Sequence, residues 1–129
     1  MGVFIDEKSN IFSGLNKTPT IIIETGGDII PNTVVIDNII IFNLTSDSIR
    51  LNLQKIRTST SNSTMNYTKY LEVKKYQTVD LLKLLNLEGI KLYYQKTPLV
   101  KDKLICFSDT PTQVFDCEVN YNILKETPF

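Results

Sequence analysis

Histidine and tryptophan are both absent from this 129-residue sequence. Without histidine the chain lacks the commonest general base and the commonest metal ligand. Without tryptophan it lacks the largest flat surface on which a sugar ring can stack. Cysteine occurs only twice, at Cys106 and Cys117, and two distant thiols do not make a structural zinc site. Glycine is sparse, and Gly26-Gly27 runs into strand signals rather than a lysine-bearing helix start, so no phosphate loop is expected. No run approaches the roughly 20 apolar residues of a membrane span. Residues 1–10 lack the basic start and apolar core of a signal peptide. Lys plus Arg and Asp plus Glu number 14 each, with no basic cluster to meet a phosphate backbone or an anionic membrane.

What remains is a chain with 42% hydrophobic residues, ordinary for one globular domain. Its patterning is that of strands. Thr20–Ile23 is a β-branched run, and Thr33–Leu44 (TVVIDNIIIFNL) is apolar on both parities, as a strand covered on both faces would be. Ile49, Leu51 and Leu53 alternate with Arg50, Asn52 and Gln54. Phe115, Cys117, Val119, Tyr121 and Ile123 alternate with Asp116, Glu118, Asn120 and Asn122. Both patterns have the two-residue period of a half-buried strand. Residues 58–66 (TSTSNSTMN) read as a polar loop, and Thr78–Leu87 fits a strand or a short helix, with strand favoured by its surroundings. The expected fold is all-β: an antiparallel β-sandwich of about eight short strands over residues 19–129, preceded by an extended N-terminal arm over residues 1–18. The arm reads as neither strand nor helix; it packs on its own domain or docks on a neighbouring subunit.

No constellation of catalytic, cofactor-binding or metal-ligating residues emerges. Asp116 and Glu118 share a strand face about 7 Å apart, which a solvated surface explains as well as a glycosidase pair does. The expectation is a protein that is not an enzyme and takes no cofactor. A hairpin of 104–107 with 114–123 would set Cys106 opposite Cys117, for which two reduced, buried thiols are the expected state. That register throws Ile105 and Phe107 onto the second face, and Val35, Ile39 and Ile41 stand likewise. Together with Val3, Phe4, Ile5, Ile11 and Phe12 of the arm, these are the candidate assembly contacts, because uncovered apolar patches mark contact sites. A further candidate is the 58–66 tip, with Tyr67, Tyr70, Tyr93 and Tyr94 as aromatic contacts for a carbohydrate or receptor.

The C-terminal two-thirds resembles small β-sandwich structural proteins of tailed-bacteriophage virions. The segments that carry the resemblance are IDNIIIFNLTSDSIRLNL (Ile36–Leu53), YLEVKKYQTVDLL (Tyr70–Leu82), GIKLYYQ (Gly89–Gln95) and DKLICFSDTPTQVFDCEVNYNIL (Asp102–Leu124). In the last, Asp102 and Tyr121 stand where such proteins carry an acidic strand leader and a closing aromatic. The resemblance implies a capsid-decorating, neck, tail or baseplate component located in the virion. Its implied partners are other virion proteins and copies of itself, not nucleic acid or membrane, with a host surface glycan ranked behind them.

Overall fold

The computed structural model describes residues 2–25, 32–60, 62–87 and 89–127, with side chains placed for a narrower set. Among the described residues, nine strands and one helical turn follow in order: β1 (Gly2–Leu15), β2 (Thr20–Glu24), β3 (Asn32–Asn43), β4 (Ile49–Ser59), β5 (Ser63–Val73), β6 (Thr78–Asp80), α1 (Leu81–Leu84), β7 (Lys91–Gln95), β8 (Val100–Ser108) and β9 (Phe115–Thr127). They form one hydrogen-bonded sheet in the order β1-β9-β3-β7-β8-β4-β5, with β2 beside β8 and β6 beside β3. Every ladder is antiparallel. The all-β expectation holds at this level.

The inward residues of β3 and β9 and those of β4 and β8 belong to one apolar cluster. In β4 these are Ile49, Leu51 and Leu53; in β8, Leu104 and Cys106; in β9, Phe115, Cys117 and Val119. Each fully buried Leu, Ile or Phe stabilises the fold by about 1.5–3 kcal/mol relative to exposure.

Four expectations need correction. Residues 1–18 are not an irregular arm, since β1 pairs with β9 from Gly2↔Thr127 to Phe12↔Cys117. Alternation is hard to see in β1 because it is an edge strand: Ile11 is exposed while Phe12 packs on the core. Gly14, in the left-handed region at φ 68°, then shifts the register so that Leu15 meets Phe115.

The second correction concerns β3. Its register on β9 slips between Ile36 and Asn38, leaving Asp37 as an extra residue. A bulge reverses the parity of everything after it. Val34 and Ile36 therefore face the core before it, and Ile39 and Ile41 after it, both at 0% exposure. Val35 stays half-buried on the outer face, as expected, whereas Ile39 and Ile41 do not join it.

Third, β8 and β9 are not a hairpin. β8 lies between β4 on one side and β2 and β7 on the other, while β9 lies between β1 and β3. Cys106 and Cys117 are buried, free thiols on strands that are not neighbours. Fourth, most of the supposed 58–66 loop is strand: Thr58 pairs with Ser63, and Ser59 N–H donates to Asn62 O at 2.7 Å.

The ambiguous segment 78–87 resolves into both structures. Val79 pairs with Ile41, and then Asp80 caps a single turn by accepting from Leu82 N–H at 3.1 Å, which buries Leu81 and Leu82. Asn86, at φ 55°, ends it.

Candidate functional site

Three places concentrate polar or exposed side chains. The first is a buried node where β7 meets β8, a ladder of only two residue pairs, Tyr94↔Lys101 and Gln95↔Val100. Asp102 is inward-facing on β8 and 1% exposed. Arg57 of β4 reaches it with two bonds, Nε to Oδ1 at 2.8 Å and Nη2 to Oδ2 at 3.0 Å. Tyr93 N–H donates to the same Oδ2 at 2.9 Å. The Thr25 hydroxyl accepts from the Asp102 amide at 3.0 Å and donates to Tyr93 O at 2.8 Å. One carboxylate thus ties β4 and β7 to β8, and the Arg57 guanidinium lies 5.7 Å from the Tyr93 ring centre. The hydrogen bond to Asp102 raises the Arg57 pKa. Both carboxylate oxygens of Asp102 and the Thr25 hydroxyl are engaged within the node, which holds strands together.

The second place is the outer face of β1, β9 and β3. Ser9 donates to Asn120, Asn120 donates to Asn38 at 2.6 Å, and Asn122 donates to the Asp37 carboxylate at 2.9 and 3.0 Å. These cross-strand amides hold the β3 bulge in register. A shallow depression there is lined by Glu7, Lys8, Ser9, Asp37, Asn120 and Tyr121. Ile11, on this face, is 73% exposed.

The third place is the outer face of β2, β8, β4 and β5. Ile21 stands opposite Ile105, and the rung Phe107–Asn52–Tyr70 crosses three strands. A depression is lined by Lys17, Pro19, Arg50, Gln54, Tyr70 and Phe107, among others, with buried Asn52 in its wall. The Arg50 guanidinium lies 4.7 Å over the Tyr70 ring and forms a 3.7 Å ion pair with Asp109. Asn52 Nδ2 donates to the same Asp109 carboxylate at 2.8 Å. An exposed aromatic face beside planar amide, guanidinium and carboxylate groups can stack on a ring and hydrogen-bond its edge.

The candidate contacts scatter across these surfaces. Val3, Phe4 and Ile5 lie on β1 opposite Glu126, Lys125 and Leu124, and their side chains fall outside the described set. Ile11 is on the surface, and Phe12 turns inward against the core. Val35, Ile105 and Phe107 are half-buried on outer faces, whereas Ile39 and Ile41 are core. The structure brings Ile105 opposite Ile21 and sets Phe107 and Tyr70 on either side of Asn52, whereas Ile11 stands apart on β1. Sequence reasoning did not join Ile21, Arg50 and Tyr70 to this group; only the strand order does. Tyr70 is on the outer face of β5, away from the hairpin tip.

The two buried thiols are also perturbed. Burial pushes the Cys106 thiol well above its ordinary value, with neighbouring Cys117 adding to the shift, and burial raises Cys117 to about 12. Such thiols are protonated and unreactive at neutral pH. Among the described residues no group of three or more His, Cys, Asp or Glu is placed to hold a metal ion. Also among them, no helix is long and apolar enough to cross a membrane. Comparison with protein-family models, curated proteins and solved structures returns no match.

Proposed function

We propose that this chain is a non-enzymatic structural component of a tailed-phage virion, assembling through contacts with copies of itself and with other virion proteins. The architecture we infer is a two-layer β-sandwich, with β1-β9-β3-β6 as one layer, β2-β8-β4-β5 as the other, and β7 joining them. The observation that carries the assembly reading is apolar surface that the described residues leave open: Ile11 on one layer, and on the other Ile21, opposite half-buried Ile105 and near half-buried Phe107. Ile21, Ile105 and Phe107 stand together on one face, and grouped apolar side chains of this kind mark contact sites. Particles purified from an infected lysate of the encoding phage should contain the chain at fixed stoichiometry by mass spectrometry. A chain abundant in the lysate but missing from the particles would refute the reading.

One observation favours a second reading, a carbohydrate- or receptor-binding module: Arg50 stacked on Tyr70, itself 54% exposed, within a depression lined by amides. A glycan array probed with native protein and with Tyr70→Ala separates the two. Binding lost in the variant supports this module; no glycan bound by either protein counts against it.

A further inference from the structure

Strand β1 is an edge: among the described residues its one ladder is with β9, and β2 meets it without a ladder, the Asn10 side chain donating to Ile22 O at 3.0 Å. It runs 14 residues and contains no proline, and proteins do not usually leave so long an edge uncovered. We infer that the outer edge of β1 pairs antiparallel with β1 of a second copy, about a two-fold axis at Lys8. This deepens the assembly reading by naming the partner of one surface.

The sequence of β1 is what selects a second copy. In an antiparallel ladder, hydrogen-bonded and non-hydrogen-bonded pairs alternate. Two identical strands related by a two-fold axis can satisfy that alternation only if one residue stands opposite itself. The choice is then which residue. Residues 4–12 read FIDEKSNIF, two apolar residues at each end and five polar ones between. Centring on Lys8 sets Phe4 opposite Phe12, Ile5 opposite Ile11, Asp6 opposite Asn10 and Glu7 opposite Ser9. Centring on Glu7 sets Phe4 opposite Asn10 and Ile5 opposite Ser9. Centring on Ser9 sets Asp6 opposite Phe12 and Glu7 opposite Ile11. Of these three neighbouring registers, the one at Lys8 alone matches apolar with apolar at both ends. Within residues 4–12 its one mismatch is Lys8 facing Lys8, and position 6, an aspartate, lies diagonal to each; beyond them Val3 meets Ser13.

The same register accounts for Ile11. At 73% exposure it is the most exposed large apolar side chain described. Its outer-face position would place it against residue 5 of the partner and remove it from water. The joined sheets would run continuously through both copies.

The test uses the full-length chain. Light scattering across a concentration series should give a dimer or a multiple of one, and Ile11→Lys should weaken association at least tenfold while circular dichroism stays unchanged. Under mild oxidation Lys8→Cys should form a disulfide-linked dimer, because residues opposite one another across a ladder have Cα atoms about 4.5–5.5 Å apart. Ser13→Cys should not, because two copies of position 13 would stand ten residues apart along the ladder, about 34 Å. The native chain, whose Cys106 and Cys117 are buried, is the blank. A monomeric native chain, equal crosslinking at 8 and 13, or none at 8 in an oligomer, each overturns the pairing. An oligomer that survives Ile11→Lys sinks this edge and leaves the assembly reading standing. A β1-paired dimer missing from particles does the reverse.

Discussion

Replacing Asp102 tests whether the joint between β7 and β8 depends on one carboxylate. Asp102→Ala removes both bonds to Arg57 and the acceptor for Tyr93 N–H. The stranded amide costs about 1–3 kcal/mol, since a buried donor without a partner loses its full hydration. The two charge-assisted bonds would be worth about 1.5–3 kcal/mol each if fully buried. However, the Arg57 side chain is 37% exposed and can turn to water, which removes much of that cost. The expected loss is about 3–4 kcal/mol, within the range for breaking a buried ion pair. Asp102→Asn keeps one carbonyl acceptor and should lose about 2 kcal/mol on the same reckoning. The combined variant Arg57→Met with Asp102→Leu should be no less stable than Asp102→Ala, because apolar side chains then fill the space that alanine leaves empty. Urea denaturation followed by far-UV circular dichroism measures all three. An Asp102→Ala protein within 1 kcal/mol of the native chain would show the node to be incidental to stability.

Three further outcomes follow from the described geometry. Ile39→Ala should cost about 2–5 kcal/mol and Val35→Ala much less, because the bulge at Asp37 puts only Ile39 in the core; equal losses would refute the parity reversal. Asn43 donates to Asp47 O, Val73 O and Lys74 O and accepts from Thr45, so Asn43→Ala should cost about 2–3 kcal/mol, and a neutral result in thermal melts would contradict the burial. The raised thiols predict a loss of stability in alkali. The folded thiols hold their protons while unfolded ones release them near pH 8.5, so stability is intact below that pH and falls as pH rises towards about 12 for Cys117, with a limiting slope of about 1.4 kcal/mol per pH unit per thiol. Denaturation of the native chain and of Cys117→Ala between pH 8 and 11 should diverge, and parallel curves would refute the shift.

Much of the sheet was legible because its period survives in the sequence. β4 and β9 alternate cleanly, and Ile105 and Phe107 fall on the face opposite Leu104 and Cys106, as their parity requires. β3 misled because one inserted residue, Asp37, reverses parity without altering composition. The expected β8–β9 hairpin failed because a six-residue connection is as consistent with a crossing to a distant position in the strand order as with a turn, and only partner strands decide. The group around Tyr70 was invisible for the same reason: Ile21, Arg50, Tyr70 and Phe107 come from four strands spread over most of the chain. Asp102 stood out only as an acidic strand leader, and its burial depends on Arg57 lying 45 positions earlier.

The pairing of β1 with β9 also sets an order in time. Phe12 leaves the ribosome long before Cys117, its partner in the ladder, has been translated. At about 5–20 residues per second, that interval is on the order of 5–20 s. Throughout it, β1 lacks the ladder that β9 will supply. A 14-residue strand held open for that long is a template for any strand that meets it, the same segment of a neighbouring nascent chain included.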